Sequence, residues 1–267
     1  MKKKIIIKTN LILEGIFSEI FQNKKYKVYF VNNFLQKFKK KKLSKDHVNV
    51  AFRFDVDDRI EDVKNIIKIN NQYNFPISFF FLTDQKHYAD DNILKKIKFT
   101  NSEIGLHSNH YFLANKNLKI MKRNIIKSKK KLFFLTKKKI SGILAHGNNS
   151  KNFYKKTIWE GLKLEDKWIK KNFSYYDKDF NNLFKSEKVK IIQDFARSKN
   201  VWAYNLNFLV YFLKKLKKGE SVVFCFHPEN YKEKKIFYFD LNFFIKFFFI
   251  RLRYNMITFY LKKVFIK

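Results

Sequence analysis

The stretch Phe52-Arg-Phe-Asp-Val-Asp-Asp58 joins a strand-forming segment to a cluster of carboxylates. Apolar side chains stand at every second position from Val48 to Phe54, which predicts a β-strand. The chain has only 23 acidic residues against 58 basic ones, so three carboxylates within the four positions 55–58 reverse the local charge. Carboxylates at a strand end can bind a divalent cation, take a proton from water or cap the next helix. This stretch alone leaves the catalytic and the capping interpretations open.

Strand-like and helix-like segments alternate along the rest of the chain. The predicted strands are short and apolar, which is typical of strands buried on both faces of a parallel sheet. Their ranges are 48–55, 77–82, 102–106, 140–145, 189–193 and 221–226. The alternation predicts an α/β fold, either a parallel sheet or a β/α barrel.

The chain shows no internal repeat and no Gly-, Ser- or Pro-rich linker that would divide it. Its 267 residues are enough to bury one full core. We therefore expect a barrel over residues 47–235, with an N-terminal helical appendage over 1–46. Residues 236–267 are predicted to form a basic, aromatic helix that packs on the barrel.

The formal charge of +35 comes almost entirely from lysine. Arginine, which suits bidentate contacts to phosphates and bases, is not enriched, so we expect no specific nucleic-acid partner. A basic module that binds nucleic acid or an anionic membrane remains the non-enzymatic alternative. Aromatic and basic residues alternate in the tail, and this pattern also suits weak peripheral contact with a membrane.

Cysteine usage and the start of the chain bear on its compartment. The single cysteine, Cys225, lies in an apolar run and is predicted to be buried. One cysteine cannot form a disulfide within the chain, which suits the cytoplasm. Lys8 and Glu14 interrupt the apolar N-terminal segment, so we expect no signal peptide and a cytoplasmic protein.

Histidines and carboxylates gather where the predicted strands end. The members of this set are Asp55, Asp57, His107, His110, His146, Asp194 and His227. Parallel strands bring their carboxyl ends to one face, where α/β folds hold their active sites. One aspartate with two histidines suits Zn²⁺, or else Fe²⁺, Co²⁺ or Ni²⁺. A second aspartate as base and another histidine as acid would complete a site for hydrolysis of an amide or ester.

The order of Phe54-Asp-Val-Asp57, Glu103-Ile-Gly-Leu-His-Ser108 and Phe226-His-Pro228 resembles the polysaccharide deacetylase superfamily, with NodB homology and similar to carbohydrate esterase family 4. The resemblance extends over residues 48–232. Within the superfamily, the chain most resembles a cytoplasmic branch associated with surface-polysaccharide biosynthesis. The resemblance implies a distorted (β/α)7-type barrel and metal-dependent removal of an acyl group, such as acetyl, from an amino sugar or related carbohydrate.

The resemblance also implies residue roles. Asp55 would be the general base, and Asp57 and His107 would bind the metal. His227 would protonate the leaving amine. The implied supporting residues are Asp194, which orients catalytic groups, and Arg197 and Trp202, which would contact the sugar.

The third metal ligand is left open. The family has three residues between its two motif histidines, whereas His107 and His110 have two between them. His110 could still share a helical face with His107, or His146 could supply the ligand instead. The family's Arg-x-Pro motif is also absent, and Ala145-His-Gly147 stands near its place.

Two further interpretations compete with a deacetylase. A catalytically inactive barrel of this family could bind carbohydrate or an anionic surface. A haloacid-dehalogenase-like phosphatase would use Asp55 and Asp57 as its nucleophile pair, but it leaves the histidines without a role.

Overall fold

The computed structural model describes residues 6–57, 60–83, 91–146, 162–184, 186, 189–193, 206–228, 231 and 236–238. Side chains are described for these residues except 6–12, 181, 184, 193, 206–209 and 236–238.

One curled parallel sheet organises the described part of the molecule. Its order is β7-β6-β5-β4-β3-β9-β8, and β2 pairs beside the first half of β3. The strands are β2 (Tyr26–Tyr29), β3 (Val48–Val56), β4 (Ile77–Leu82), β5 (Ser102–Ser108), β6 (Ile140–Ala145), β7 (Tyr175–Tyr176), β8 (Val189–Gln193) and β9 (Ser221–Phe226). A separate antiparallel pair joins β1 (Ile6–Lys8) to β10 (Ile236–Tyr238). Because all pairs within the main sheet are parallel, the carboxyl ends of its strands lie along one edge.

Helices connect the strands. They are α1 (Thr9–Gln22), α2 (Val31–Lys39), a 3₁₀ turn (Ile60–Asp62), α3 (Val63–Tyr73), α4 (Asp91–Ile97), α5 (His110–Leu113), α6 (Leu118–Thr136), α7 (Asp166–Asn172), α8 (Asp177–Phe184) and α9 (Leu206–Lys215). The longest, α6, begins where the Asn117 side chain accepts a hydrogen bond from the Ile120 amide, and it ends at Lys137 in the left-handed conformation. No helix within the described ranges has the length and apolar character needed to cross a membrane.

The outer face of the sheet packs against the helices through an aromatic core. Along β3, alternate side chains such as Phe52 and Phe54 point to this face and are fully buried. The centroid of the Phe52 ring lies 4.7 Å from that of the Phe17 ring on α1 and 5.1 Å from that of the Phe224 ring on β9. Each phenylalanine buried in this way contributes about 1.5–3 kcal/mol to stability, so the aromatic layer fixes how the helices sit on the sheet.

The inner face of the curled sheet holds a second buried cluster with polar residues among its members. Glycines make room for its rings: a Cβ atom on Gly105 would lie 2.3 Å from the Phe80 ring, and one on Gly142 would lie 2.2 Å from the Tyr175 ring. The remaining alternate positions of β3, Arg53 and Asp55 among them, face this interior. The β3 pleat therefore directs its charged residues inward and its aromatic residues outward.

A partly buried carboxylate, Glu103, ties helix α2 to the amino end of the sheet. Its two oxygens accept hydrogen bonds from the Ser141 and Ser78 hydroxyls, each at 2.7 Å, and from the Asn32 amide at 3.1 Å. The Ser78 hydroxyl in turn accepts from the Val31 amide at 3.0 Å. Burial raises the pKa of Glu103, while the hydroxyl donors oppose that shift. The first turn of α2 thus closes the end of the barrel opposite the strand carboxyl ends.

The predicted α/β architecture with a distorted barrel of parallel strands is confirmed, and the six predicted strands are present as β3, β4, β5, β6, β8 and β9. The buried position of Cys225 is confirmed as well. Four short strands, β1, β2, β7 and β10, were not predicted, because segments of two to four residues carry almost no periodic signal. Segment 1–46 therefore contributes strands as well as helices. Residues 236–238 form a strand, and the helix predicted for the tail lies mostly outside the described residues.

Candidate active site

Four predicted residues meet at the carboxyl edge of the sheet. Asp57 directly follows β3, His107 is the penultimate residue of β5, and His146 and His227 directly follow β6 and β9. The register places His107 beside Leu82 on β4 and beside Leu144 on β6. Side chains that are far apart in sequence therefore reach one point from four strands.

The Asp57 carboxylate is the centre of this group. One oxygen, Oδ1, lies 2.7 Å from His107 Nδ1. The other, Oδ2, lies 3.3 Å from His146 Nε2 and 3.4 Å from His227 Nε2. The His107 and His146 rings are nearly perpendicular, with centroids 5.1 Å apart. Three imidazoles thus point their nitrogens at one carboxylate.

Burial and charge act in opposite directions on this group. Burial favours the neutral acid of Asp57, but the imidazoles, His107 foremost, outweigh it and hold the pKa of Asp57 well below its usual value. Burial favours neutral imidazole at His107, yet the carboxylates of Asp57 and Asp55 raise its pKa above the usual value. The pair therefore favours ionised Asp57 and protonated His107.

An oxygen of Asp57 and a nitrogen of His107 are atoms of the kinds that can bind one cation together. Asp57 Oδ1 and His107 Nδ1 are buried, and neither has a hydrogen-bond partner of acceptable geometry among the described residues, although they lie 2.7 Å apart. The opposite ring nitrogen, His107 Nε2, is 3.2 Å from the Ala145 carbonyl oxygen. That acceptor requires a proton on Nε2, so Nδ1, which faces Asp57, is the nitrogen that would give its lone pair to a metal ion once His107 has lost its second proton.

The side chains as they stand do not surround an open ion site. Within the segments that the structure describes, no three or more His, Cys, Asp or Glu residues are arranged to hold a metal ion. The reason is geometric: the imidazole nitrogens contact the Asp57 oxygens themselves. The donor types nevertheless fit a borderline divalent metal, since one carboxylate and neutral imidazoles are the usual ligands of Zn²⁺.

Asp55 lies one pleat below Asp57 and is bound by an arginine on the same strand. Arg53 donates from Nε to Asp55 Oδ1 at 2.7 Å and from a terminal nitrogen to Oδ2 at 2.5 Å. Burial would raise the pKa of Asp55, but Arg53 and then His107 outweigh it and lower the pKa below its usual value. The Arg53 guanidinium also lies over two aromatic rings, 4.9 Å from the centroid of Phe180 and 5.5 Å from that of Phe80.

No role was predicted for Arg53, although the i, i+2 spacing of a strand places it on the same face as Asp55. Asp177 was also missed. It follows β7 at the level of Leu144, and its Oδ2 accepts a hydrogen bond from the Ala145 amide at 2.9 Å. Burial raises the pKa of Asp177 to about 6 against the effects of that amide and of Arg53. The available signal was an acidic residue directly after Tyr-Tyr, but a strand of two residues has no periodicity that would identify it.

His110 lies in a different environment from the other histidines. It is 2% exposed, and its two ring nitrogens are each 2.9 Å from a serine hydroxyl, Ser108 on one side and Ser128 of α6 on the other. Burial lowers the pKa of His110 from 6.5 to about 4. Its contacts therefore tie α5 to α6 and do not reach Asp57.

The buried neutral state of His110 predicts a loss of stability in acid. Because the unfolded chain binds a proton near pH 6.5 and the folded protein only near pH 4, the stabilisation is complete above 6.5 and is lost as the pH falls toward 4. Between pH 7.5 and 5 we expect this group to lower the free energy of unfolding by about 2 kcal/mol. Urea unfolding of metal-free wild type and His110→Gln at both pH values measures this, since the variant should lack that part of the loss. An equal loss in both proteins would contradict the assignment.

Other predicted site residues lie outside the described part of the chain. These are Asp194, Arg197 and Trp202. Their predicted roles stay predictions.

Comparison with known proteins gives matches among solved structures only. No family model matches the chain, and no curated protein matches it. A Streptococcus mutans CE4 esterase is 17% identical, with 76% of this chain and 82% of that chain covered and a TM-score of 0.46. The Streptococcus pyogenes deacetylase PplD is 14% identical, with 62% and 70% covered and a TM-score of 0.45. A Bacillus anthracis CE4 family pseudoenzyme is 16% identical, and its TM-score is 0.38.

In fold, this chain is similar to CE4 proteins. This is the superfamily that the sequence motifs resemble, whereas its cytoplasmic branch stays a prediction. The match to the Bacillus anthracis pseudoenzyme includes 67% of this chain but only 54% of that protein's length. At such identities and TM-scores the CE4 likeness carries no conclusion about function.

Proposed function

We propose that this protein is a metal-dependent hydrolase that removes an acyl group, such as acetyl, from an amino sugar or related carbohydrate. The observation that carries the proposal is the Asp57 carboxylate facing three imidazoles from three strand ends, with the second carboxylate, Asp55, two residues earlier. A cluster with this composition at the carboxyl edge of a parallel sheet is suited to hydrolysis of an amide or ester.

Asp57, His107 and His146 would hold the metal, with Zn²⁺ the best match and Fe²⁺, Co²⁺ or Ni²⁺ as alternatives. His146 is preferred to His110 because its Nε2 reaches the Asp57 carboxylate at 3.3 Å, whereas both nitrogens of His110 are engaged by serines. A divalent cation at this point would lower the pKa of a water molecule and polarise the acyl carbonyl.

Asp55 is the proposed general base. The Arg53 pair keeps its carboxylate ionised and fixes its orientation, which leaves it able to take a proton from the attacking water. The water oxygen forms a bond to the acyl carbon, and the bond from that carbon to the sugar nitrogen breaks. Arg53 lies two residues before the base on the same strand. Because the family's Arg-x-Pro motif is absent here, Arg53 is the arginine that we propose to support the base.

His227 is the proposed acid. It approaches the site from β9, on the side of β3 away from β4 and β5, and its Nε2 lies 3.4 Å from Asp57 Oδ2. A protonated imidazole at this position would donate its proton to the leaving amine, which gives acetate and a free amino sugar as products. Asp194 is proposed to orient His227, and Arg197 and Trp202 to contact the sugar.

The wider setting belongs to the same proposal. We assign the protein to surface-polysaccharide biosynthesis in the cytoplasm, on the motif resemblance and the single cysteine. The partner is an acylated sugar and not a nucleic acid, since the positive charge is carried by lysine. Weak peripheral contact of the tail with a membrane is part of this proposal.

The metal and the activity are tested together with a matched pair of histidine variants. Wild type loaded with Zn²⁺ should release acetate from N-acetylglucosamine oligomers, and chelation should abolish the release. His146→Gln should weaken Zn²⁺ binding by roughly tenfold or more, because it removes a ligand, whereas His110→Gln should leave the Kd unchanged. Competition with a chromophoric chelator measures each Kd.

Two outcomes would overturn parts of this proposal. If His110→Gln weakened Zn²⁺ binding and His146→Gln left the Kd unchanged, His110 and not His146 would be the third ligand. Wild type that binds the oligomers without metal and releases no acetate would favour the inactive carbohydrate-binding alternative.

A further inference from the structure

We infer that Asp177, at the end of β7, is a positioning residue that holds the two metal-binding histidines in register. This inference rests on the proposed function, because it concerns how His107 and His146 are presented to the ion. It starts from the short pairing of β6 with β7, which ends at Ile143 beside Tyr176.

Beyond that point the Asp177 side chain, and not the backbone of β7, accepts the next hydrogen bond from β6. Its Oδ2 accepts a hydrogen bond from the Ala145 amide at 2.9 Å. On the other side of the strand, β5 pairs with β6 through Ala145, and the His146 amide donates to the Ser108 carbonyl oxygen at 2.9 Å. The end of β6 is therefore held from both sides, and Asp177 holds the β7 side.

Ala145 connects Asp177 to both histidines. Its amide donates to Asp177, its carbonyl oxygen is 3.2 Å from His107 Nε2, and the next residue is His146. Fixing this one residue therefore fixes the start of His146 and the acceptor that sets which nitrogen of His107 carries a proton. Hydrogen bonds that orient ligating histidines typically change metal affinity by about 10–100-fold when they are removed.

Three variants separate this role from a general effect on folding. Asp177→Ala removes the acceptor, whereas Asp177→Asn keeps an oxygen that can accept from Ala145 and removes only the charge. Asp179→Ala is the matched control: Asp179 also accepts from a backbone amide, that of Tyr176 at 3.0 Å, but its other oxygen pairs with Lys39 on α2.

We expect Asp177→Ala to weaken Zn²⁺ binding by about tenfold to a hundredfold, measured by chelator competition on the full chain. Asp177→Asn and Asp179→Ala should bind within about threefold of wild type, which lies below the tenfold lower limit for loss of an orienting bond. Equal affinity in wild type and Asp177→Ala would overturn the inference while leaving the proposed function intact. An equal loss in Asp177→Asn would also overturn it, since charge and not the hydrogen bond would then be the cause.

A second readout does not need the metal. In the metal-free protein the Nε2 proton of His107, bonded to the Ala145 carbonyl, should give a protected NMR signal that disappears in His107→Gln. We expect that signal in Asp177→Asn and its loss by exchange in Asp177→Ala. If Asp177→Ala does not fold, an Asp177→Asn protein that lacks the signal would refute the inference. If wild type binds no Zn²⁺, the proposed function fails, but this signal still decides whether Asp177 positions His107.

Discussion

Replacing Asp57 with asparagine is expected to abolish metal binding and acyl hydrolysis together. Asp57 is the carboxylate that all three imidazoles approach, at 2.7, 3.3 and 3.4 Å. An asparagine amide has nearly the same shape, but it carries no charge and turns an NH₂ group toward one of the imidazoles. Loss of the anionic ligand from a site of one aspartate and two histidines should weaken Zn²⁺ binding by roughly a thousandfold.

Metal content after dialysis against limiting Zn²⁺, together with acetate release, measures this effect. Asp91→Asn is the matched control, because Asp91 is a half-exposed carboxylate at the start of α4 whose ion pair is with Lys131 of α6, at 3.8 Å. That control should bind and react like wild type. Circular dichroism of metal-free Asp57→Asn should match wild type, so that a lost site is not mistaken for a lost fold. Unchanged metal content in a folded Asp57→Asn protein would contradict the ligand assignment.

Replacing Asp55 with asparagine should separate the two properties: metal binding should be retained and acyl hydrolysis lost. The Asp55 carboxylate is engaged by Arg53 through two hydrogen bonds and is not among the groups that contact the imidazoles directly. An amide cannot take a proton from water, and loss of a general base typically lowers kcat by about 10²–10⁴-fold. The Zn²⁺ Kd should stay close to that of wild type.

The comparison of the two variants is the sharpest test of the division of labour between the aspartates. Asp55→Asn also leaves the buried Arg53 with a poorer partner, so a lower free energy of unfolding is expected, by about 1–3 kcal/mol. Acetate release should therefore be measured well below the unfolding temperature of the variant. Full activity in metal-loaded Asp55→Asn would show that another group is the base.

The strand pattern was predictable because burial leaves a direct mark on the sequence. A segment such as Ile77–Leu82 is apolar throughout, since both of its faces are covered. The strand ends were predictable for the same reason: polar residues such as Asp57 and His107 interrupt the apolar runs where the chain reaches the sheet edge. The parallel arrangement then follows from the intervening helices.

Other contacts left no such mark. The two-residue strand β7 is too short for any periodicity, so Asp177 could not be placed beside Ala145. His107 and His110 look alike in sequence, yet one ring faces Asp57 and the other lies between two serines. Ser128 lies eighteen residues after His110, and only the packing of α6 brings them together.

The sequence by itself determined the fold class and the position of the strand ends with the polar residues that follow them, because burial and periodicity are local properties of the chain. Only the tertiary structure decided which of those residues meet. Asp57 is close to His146 and His227 because three parallel strands end at the same height, and Asp55 is bound by Arg53 because the β3 pleat turns both inward. Such distances depend on the register between strands, and register is set by packing across the whole sheet.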